Sequence, residues 1–263
     1  MRWYTGDPTY DTLLAAALAL SLIVAVAAWF VPSPYGRFAS ARLGWALDPR
    51  LGWFLMELPS SLVFLTFFFR GPHWFEPVPL VFLCIWCVHY ANRGFFFPLS
   101  MRVPKGAKAS FGVLVVTVGW VVTSLHGYLN GSYVSTFGGY PTSWLADPRF
   151  LAGASLYFVS LAFNIHSDAI LRRLRTRKEV EQGIKVYRVP HGGLYRFVSS
   201  PSYFSELTAW SGFALCTWSL AGVFILAISA ANLVPRAVET HRWYKARFPD
   251  YPPQRRALVP FVF

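Results

Sequence analysis

Apolar residues fall in seven long blocks, separated by short basic or Gly/Pro-rich segments: roughly Thr12–Val31, Trp53–Phe69, Pro77–Phe97, Phe111–Leu129, Phe150–Leu171, Tyr203–Leu220 and Ala221–Val234. A membrane-crossing helix needs about 20 apolar residues, and each block is read as one such helix. Only "SLAG" divides the last two, so that boundary is the least defined. Trp and Tyr recur near block ends, where interfacial anchors sit. The first block is long enough to span and reads as a retained helix rather than a cleavable leader. No internal repeat or low-complexity tract interrupts the pattern.

Composition agrees with the pattern. Hydrophobic residues make up 55%, aromatics 18% and charged residues only 14% of 263 residues, which excludes an ordinary soluble domain. The expected fold is an all-α integral membrane protein, a single catalytic domain over 1–263 with seven spans. Lys and Arg set its direction. Segments at and beyond the ends of spans 1, 3, 5 and 7 hold 21 of the 24 basic residues, against Arg2, Arg70 and Arg149 on the other side. The positive-inside rule then puts the N-terminus outside, lumenal or periplasmic, and the C-terminus in the cytosol. The same asymmetry accounts for the net charge of +12, so no nucleic-acid partner is implied. Cys84 and Cys87 spell C-I-W-C inside an apolar run and read as packing residues, not a redox pair.

Against this background, buried polar residues stand out. Glu57 interrupts "GWFLMELPSSLVFLTFFF", with Pro59 two residues on. At 1.5 Å per residue it lies about 6–9 Å inside the cytosolic face. Tyr90 precedes the inner end of span 3, Glu206 begins span 6, and span 7 ends in "NLVPRAVETHRWY". An ionisable residue within a span costs about 2.5–3.5 kcal/mol and is a functional candidate by default. Arginines can snorkel to the interface; Glu57 and Glu206 are too short to do so. A cavity open to the cytosol is expected, with the outer half nearly bare of polar groups.

In span 5, Asn164, Asp168, Arg172 and Arg175 share one helical stripe. Amide and carboxylate lie deep and guanidinium groups at the surface. Such a stripe suits a ligand with an uncharged polar head and an anionic tail, as in a dinucleotide, since Arg donates two parallel hydrogen bonds to phosphate. Asp168 and Arg172 could equally pair only with each other. The next loop, "KVYRVPHGGLYRFVSSPSYFSE", adds Tyr187, Arg188 and a Gly192-Gly193 turn before a Pro-started helix. Neither G-x-G-x-x-G nor a P-loop occurs, and no His/Cys spacing argues for a metal.

The segments "WFLMELPS", "CVHYANR", "FNIHSDAILRRLR", "YRVPHGGLYRFVSSPSYFSE" and "RAVETHRWYKARFPDYPPQRRALVPFVF" together resemble the steroid 5α-reductase family, from span 2 to the last residue. The resemblance implies NADPH-dependent reduction of the C4–C5 double bond of 3-oxo-4-ene steroids. It implies Glu57 and Tyr90 acting together on the substrate carbonyl, and Trp53 lining the steroid pocket. It implies cofactor contacts at Asn164, Asp168, Arg175, Tyr187, Arg188, Ser202, Glu206, Arg236 and Tyr244, beside the Arg172 of the stripe. The chain departs from the family where Asn is common (Ser202), where His is common (Thr240, beside His241) and where Tyr is common (Phe97). The expected partners are a steroid-like lipid and the bilayer itself, either a bacterial inner membrane or the endoplasmic reticulum. A monomer is expected.

Other readings stay open on the residues alone. A membrane reductase of enoyl-CoA or polyprenol type would use a similar site. A membrane methyltransferase using S-adenosylmethionine shares the basic C-terminal run but gives Glu57 and "NIHSD" no role. A receptor or transporter would place its polar groups nearer the midplane, within repeats.

Overall fold

A computed structural model describes residues 3–30, 44–107 and 109–263. Arg2, Arg37, Arg42 and Lys108, which enter the charge count, and Val31, the expected end of span 1, lie outside the described residues.

Helix α1 (Pro8–Ala27) starts four residues before its expected position because Asp7 caps it, accepting from the Tyr10 amide at 2.8 Å, with Pro8 in the first turn. Two later helices, α2 (Pro49–Arg70) and α6 (Pro148–Arg173), start on the same Asp-Pro pair, there followed by Arg. In each the aspartate accepts both the arginine amide and its guanidinium. Those side-chain hydrogen bonds lower the carboxyl pKa of Asp48, and bring that of Asp147 down to about 2.

Helix α3 (Pro77–Tyr90) passes into a π turn, Ala91–Phe96, and a last α turn, α4 (Phe97–Ser100). Strands β1 (Ala46–Leu47) and β2 (Phe111–Gly112) pair antiparallel, Ala46 opposite Gly112, ahead of α5 (Val113–Ser132). After α6 come a short α7 (Arg177–Glu181), α8 (Pro201–Thr217) and α9 (Leu220–Arg247). Six of these rods are long and apolar enough to cross a membrane: α1, α2, Pro77–Ser100, Val113–Phe137, α6 and α9. Helix α8 has 17 residues and ends at Trp218, which takes a left-handed φ of 48°. Ser219 then caps α9. Pro235 does not end α9 near the expected Val234; the helix runs on to Arg247 and carries Arg236, Thr240 and Tyr244 into a shared wall.

The helices pack in pairs, α2 along α5, α6 along α8, and α1 and α8 along α9. Two of these seams have glycine where backbones touch. A Cβ on Gly153 would lie 2.6 Å from the Gly212 carbonyl oxygen, and one on Gly131 would lie 2.6 Å from that of Phe64. Apolar lipid offers no hydrophobic drive between helices, so close backbone approach supplies the van der Waals contact instead. Gly153→Leu is expected to separate α6 from α8 and destabilise the fold by about 1–3 kcal/mol or more. A thermal unfolding series in detergent checks it, with Leu151→Ala on the exposed face of α6 as the control.

Pro59 explains much of how α2 meets its neighbours. It has no N–H to give the Leu55 carbonyl, and Trp120 Nε1 of α5 donates to that oxygen at 2.6 Å. Thr123 Oγ1 donates to the Met56 carbonyl at 3.2 Å, and Trp86 Nε1 of α3 to that of Ser60 at 3.2 Å. The far end of the bundle, expected to be nearly bare of polar groups, holds several. Tyr10 donates to the Leu129 carbonyl (2.9 Å), Tyr140 to that of Thr217 (2.7 Å) and Trp144 Nε1 to that of Cys216 (2.9 Å). These hydroxyl and indole groups satisfy backbone oxygens that water does not reach. Cys84 and Cys87 face outward on α3 as free thiols.

Candidate active site

A cavity of about 940 Å³ opens where α2 begins and α4, α6 and α9 end. The β1–β2 pair contributes Ala46, Phe111 and Gly112 to its rim. Its wall descends from basic to aromatic to acidic.

The outer wall comes from α6 and the loop after it. Arg172 Nη1 donates to Ser100 Oγ at 2.6 Å. Arg175 Nη1 donates to the Arg102 carbonyl at 3.0 Å while Arg102 donates back to the Arg175 carbonyl. The Arg175 guanidinium lies 5.6 Å above the Tyr187 ring, which meets Trp243 edge-on. Arg188 also lines the cavity, but its guanidinium is engaged by Glu179 and by the Leu174 carbonyl. That pairing brings the Glu179 carboxyl pKa down to about 2. From α9, Arg236 Nε donates to the Tyr203 hydroxyl at 2.9 Å, and Tyr244 stacks on Tyr251 with centroids 5.3 Å apart. Thr240 faces the cavity. His241 does not line the cavity; its Nδ1 is 2.6 Å from the Oγ of Ser199, which does.

At the floor, Arg93 occupies the centre. Its Nη2 is 3.0 Å from Glu206 Oε2 and its Nη1 3.8 Å from Asp168 Oδ2, with all three side chains between 9% and 14% exposed. Its guanidinium carbon lies 4.5 Å from the Trp53 ring centroid and 4.7 Å from that of Phe97, within cation–π range. Asp168 Oδ1 accepts from Ser202 Oγ at 2.7 Å, and Asn164 Nδ2 donates to the Ser202 carbonyl at 2.8 Å. Asp168 therefore pairs with Ser202 and Arg93. The alternative of a self-contained Asp168–Arg172 pair does not occur among the described ion pairs.

Glu57 and Tyr90 lie just beyond this floor. Glu57 is half-buried and packs beside Gly94, whose Cβ, if present, would be 3.7 Å from that of Glu57. Tyr90 is 4% exposed and within electrostatic reach of both Glu57 and Glu206. Its hydroxyl is 3.3 Å from His126 Nε2. The two side chains thus reach one region from α2 and α3. They do not point to opposite sides of the bundle.

A family model described as 3-oxo-5-alpha-steroid 4-dehydrogenase matches residues 109–263. The chain is 35% identical over 259 residues to a protein named 3-oxo-5-alpha-steroid 4-dehydrogenase 1 from Bos taurus, covering 96% of both chains. It is 37% identical over 255 residues to 3-oxo-5-alpha-steroid 4-dehydrogenase 2 from Sus scrofa, covering 95% of this chain and 96% of that one. It is also 35% identical over 261 residues to Steroid 5-alpha-reductase DET2 from Gossypium hirsutum, covering 96% and 98%. The chain belongs to the 3-oxo-5-alpha-steroid 4-dehydrogenase family. It is an enzyme of the oxidoreductase class acting on CH–CH groups.

Two residues of this candidate site, Arg93 at its floor and His126 behind Tyr90, escape a reading of the sequence. Arg93 counts there as one more inner-side charge. The signal that separates it from the others is its place three residues after Tyr90 and directly before "GFFF", inside an apolar run. The π turn turns it into the floor; such turns recur at functional sites. His126 lies in an apolar block and has no motif around it.

Proposed function

We propose that the protein reduces the C4–C5 double bond of 3-oxo-4-ene steroids to 5α-reduced products, with NADPH as reductant. One observation supports this reading above the others: a single cavity joins an arginine-rich outer wall to a floor of Trp53, Arg93, Asp168 and Ser202, with Glu57 and Tyr90 adjoining it. The donor set fits a phosphorylated dinucleotide. Arg172, Arg175 and Arg236 would hold phosphate, with Tyr187 and Tyr244 beside them; Arg188 would join them only by exchanging Glu179 for phosphate. Asn164, Asp168, Ser202 and Glu206 offer the amide, hydroxyl and carboxylate partners that a ribose and a carboxamide need. When bound, NADPH supplies the hydride.

The chain's own residues do the rest. Trp53 gives the flat apolar substrate an aromatic surface. The ketone oxygen gains negative charge as the β carbon is reduced. Tyr90 donates a hydrogen bond to that oxygen, and Glu57 orients it or, when protonated, donates as well. Such donors lower the barrier most in a site that excludes water. Solvent delivers the proton that completes the α carbon.

Seven spans fit this function. Helix α8 would be about 26 Å long at 1.5 Å per residue, close to the bilayer's hydrocarbon thickness of about 30 Å. With the N-terminus outside, cofactor reaches the arginine wall from the cytosol and steroid arrives through the bilayer. Incubating purified protein with NADPH and a panel of enone steroids, and following loss of the cofactor's near-ultraviolet absorbance, tests the reading. Consumption with a 3-oxo-4-ene and none with its 4,5-saturated counterpart is expected. Consumption with enoyl-CoA alone, or binding of S-adenosylmethionine in place of NADPH, would overturn it.

A further inference from the structure

The reading of Tyr90 as a donor requires its hydroxyl proton to point at the substrate. We propose that His126 is a positioning residue that fixes that direction. The inference rests on the proposed role of Tyr90.

His126, on α5, is 4% exposed. Its ring lies nearly parallel to that of Tyr90, at 23° with centroids 6.0 Å apart, and Trp86 closes another side with centroids 5.6 Å away. Nε2 is 3.3 Å from the Tyr90 hydroxyl. Nδ1 is buried and has no hydrogen-bond partner among the described residues. That asymmetry selects the tautomer. A proton on Nδ1 would be a buried N–H with no acceptor, which costs about 1–3 kcal/mol and is rare in folded proteins. A proton on Nε2 goes to Tyr90 Oη, and only a lone pair is left at Nδ1. The doubly protonated ring carries the same orphan donor and a charge besides.

With Nε2–H donating to it, the Tyr90 oxygen acts as an acceptor toward α5. The phenol's own proton is then directed away from His126, toward the α2 side, where Ser60 and Glu57 lie near it. Ser60 Oγ donates its proton to the Glu57 carbonyl. The turn bearing His126 is itself held. Asn130 Nδ2 donates to the His126 carbonyl at 3.0 Å and to that of Ala221 on α9 at 3.2 Å. Without the imidazole the phenol proton has freedom to turn toward α5, and fewer molecules hold it ready for a ketone.

The test uses the full-length protein with NADPH and a 3-oxo-4-ene steroid. His126→Leu is expected to lower kcat by roughly tenfold to a hundredfold, less than the loss of an oxyanion donor itself, with KM and NADPH affinity unchanged. His126→Gln, whose amide N–H can reach the Nε2 position, is expected to recover most of that loss. In the Tyr90→Phe background His126→Leu has no further effect. Histidine 15N shifts, with the His126 signal identified by its loss in His126→Gln, report the tautomer even where the leucine variant does not fold. A protonated Nδ1 overturns the inference. So does full kcat in His126→Leu while Tyr90→Phe is inactive. Full activity in Tyr90→Phe is a different result: it removes the donor role of Tyr90 first, and the role of His126 falls with it.

Discussion

Glu57→Gln and Tyr90→Phe are each expected to lower turnover by about 10²–10³, the cost of losing one donor at a developing oxyanion, while NADPH still binds. Both substitutions keep the size of the side chain. The half-buried Glu57 packs beside Gly94 and the buried Tyr90 against Trp86 and Trp210, so the fold has no steric reason to change. The charge on the ketone oxygen grows only as the reaction proceeds. The loss should therefore fall on kcat, with little change in KM. Steady-state kinetics together with NADPH binding by fluorescence separates the two. Wild-type kcat in both variants would remove Glu57 and Tyr90 from the reaction.

Arg93→Leu is expected to be the most destabilising single change at the floor. It removes the guanidinium 3.0 Å from Glu206 and 3.8 Å from Asp168 and leaves two nearly buried carboxylates without it. Breaking a buried pair by deleting one partner costs about 3–5 kcal/mol, more than the pair itself contributes, because the remaining charge keeps its desolvation cost. Contacts with the faces of Trp53 and Phe97 are lost as well. The control is the combined variant Arg93→Leu, Asp168→Asn, Glu206→Gln, which has no stranded charge. Chemical denaturation in detergent should show the single variant markedly weakened and the combined one restored most of the way. Equal stability of the single variant and wild type would mean that Arg93 is not the counter-charge of this floor.

Hydropathy exposed the membrane helices because a lipid solvent demands about 20 apolar residues at a time. Glu57 and Glu206 were visible for the same reason, as carboxylates with no route to the interface. The stripe on α6 was legible as spacing, and Asp168, Arg172 and Arg175 do share the cavity wall. Other features depend on tertiary geometry. Hydropathy does not encode a π turn, so the inward place of Arg93 was hidden behind its charge. Pro235 reads as a helix end, yet α9 passes through it and brings Arg236 and Tyr244 to the cavity. Arg188 had the right composition for phosphate, but Glu179 already engages it. His126 carries no pattern at all, and only its contact with Tyr90 marks it.

Pro59 leads to a last consequence. The carbonyls of Leu55, Met56 and Ser60 accept from Trp120, Thr123 and Trp86, so the stretch of α2 around Glu57 is sewn to two other helices. The height and bearing of that one acid are thereby set by indoles a chain-length of dozens of residues away. Ala in place of Pro59 would give the helix back its own rung and free Trp120 from the seam. The carboxylate would then answer to α2 alone, and a drift in activity with no altered active-site side chain is the signature to look for.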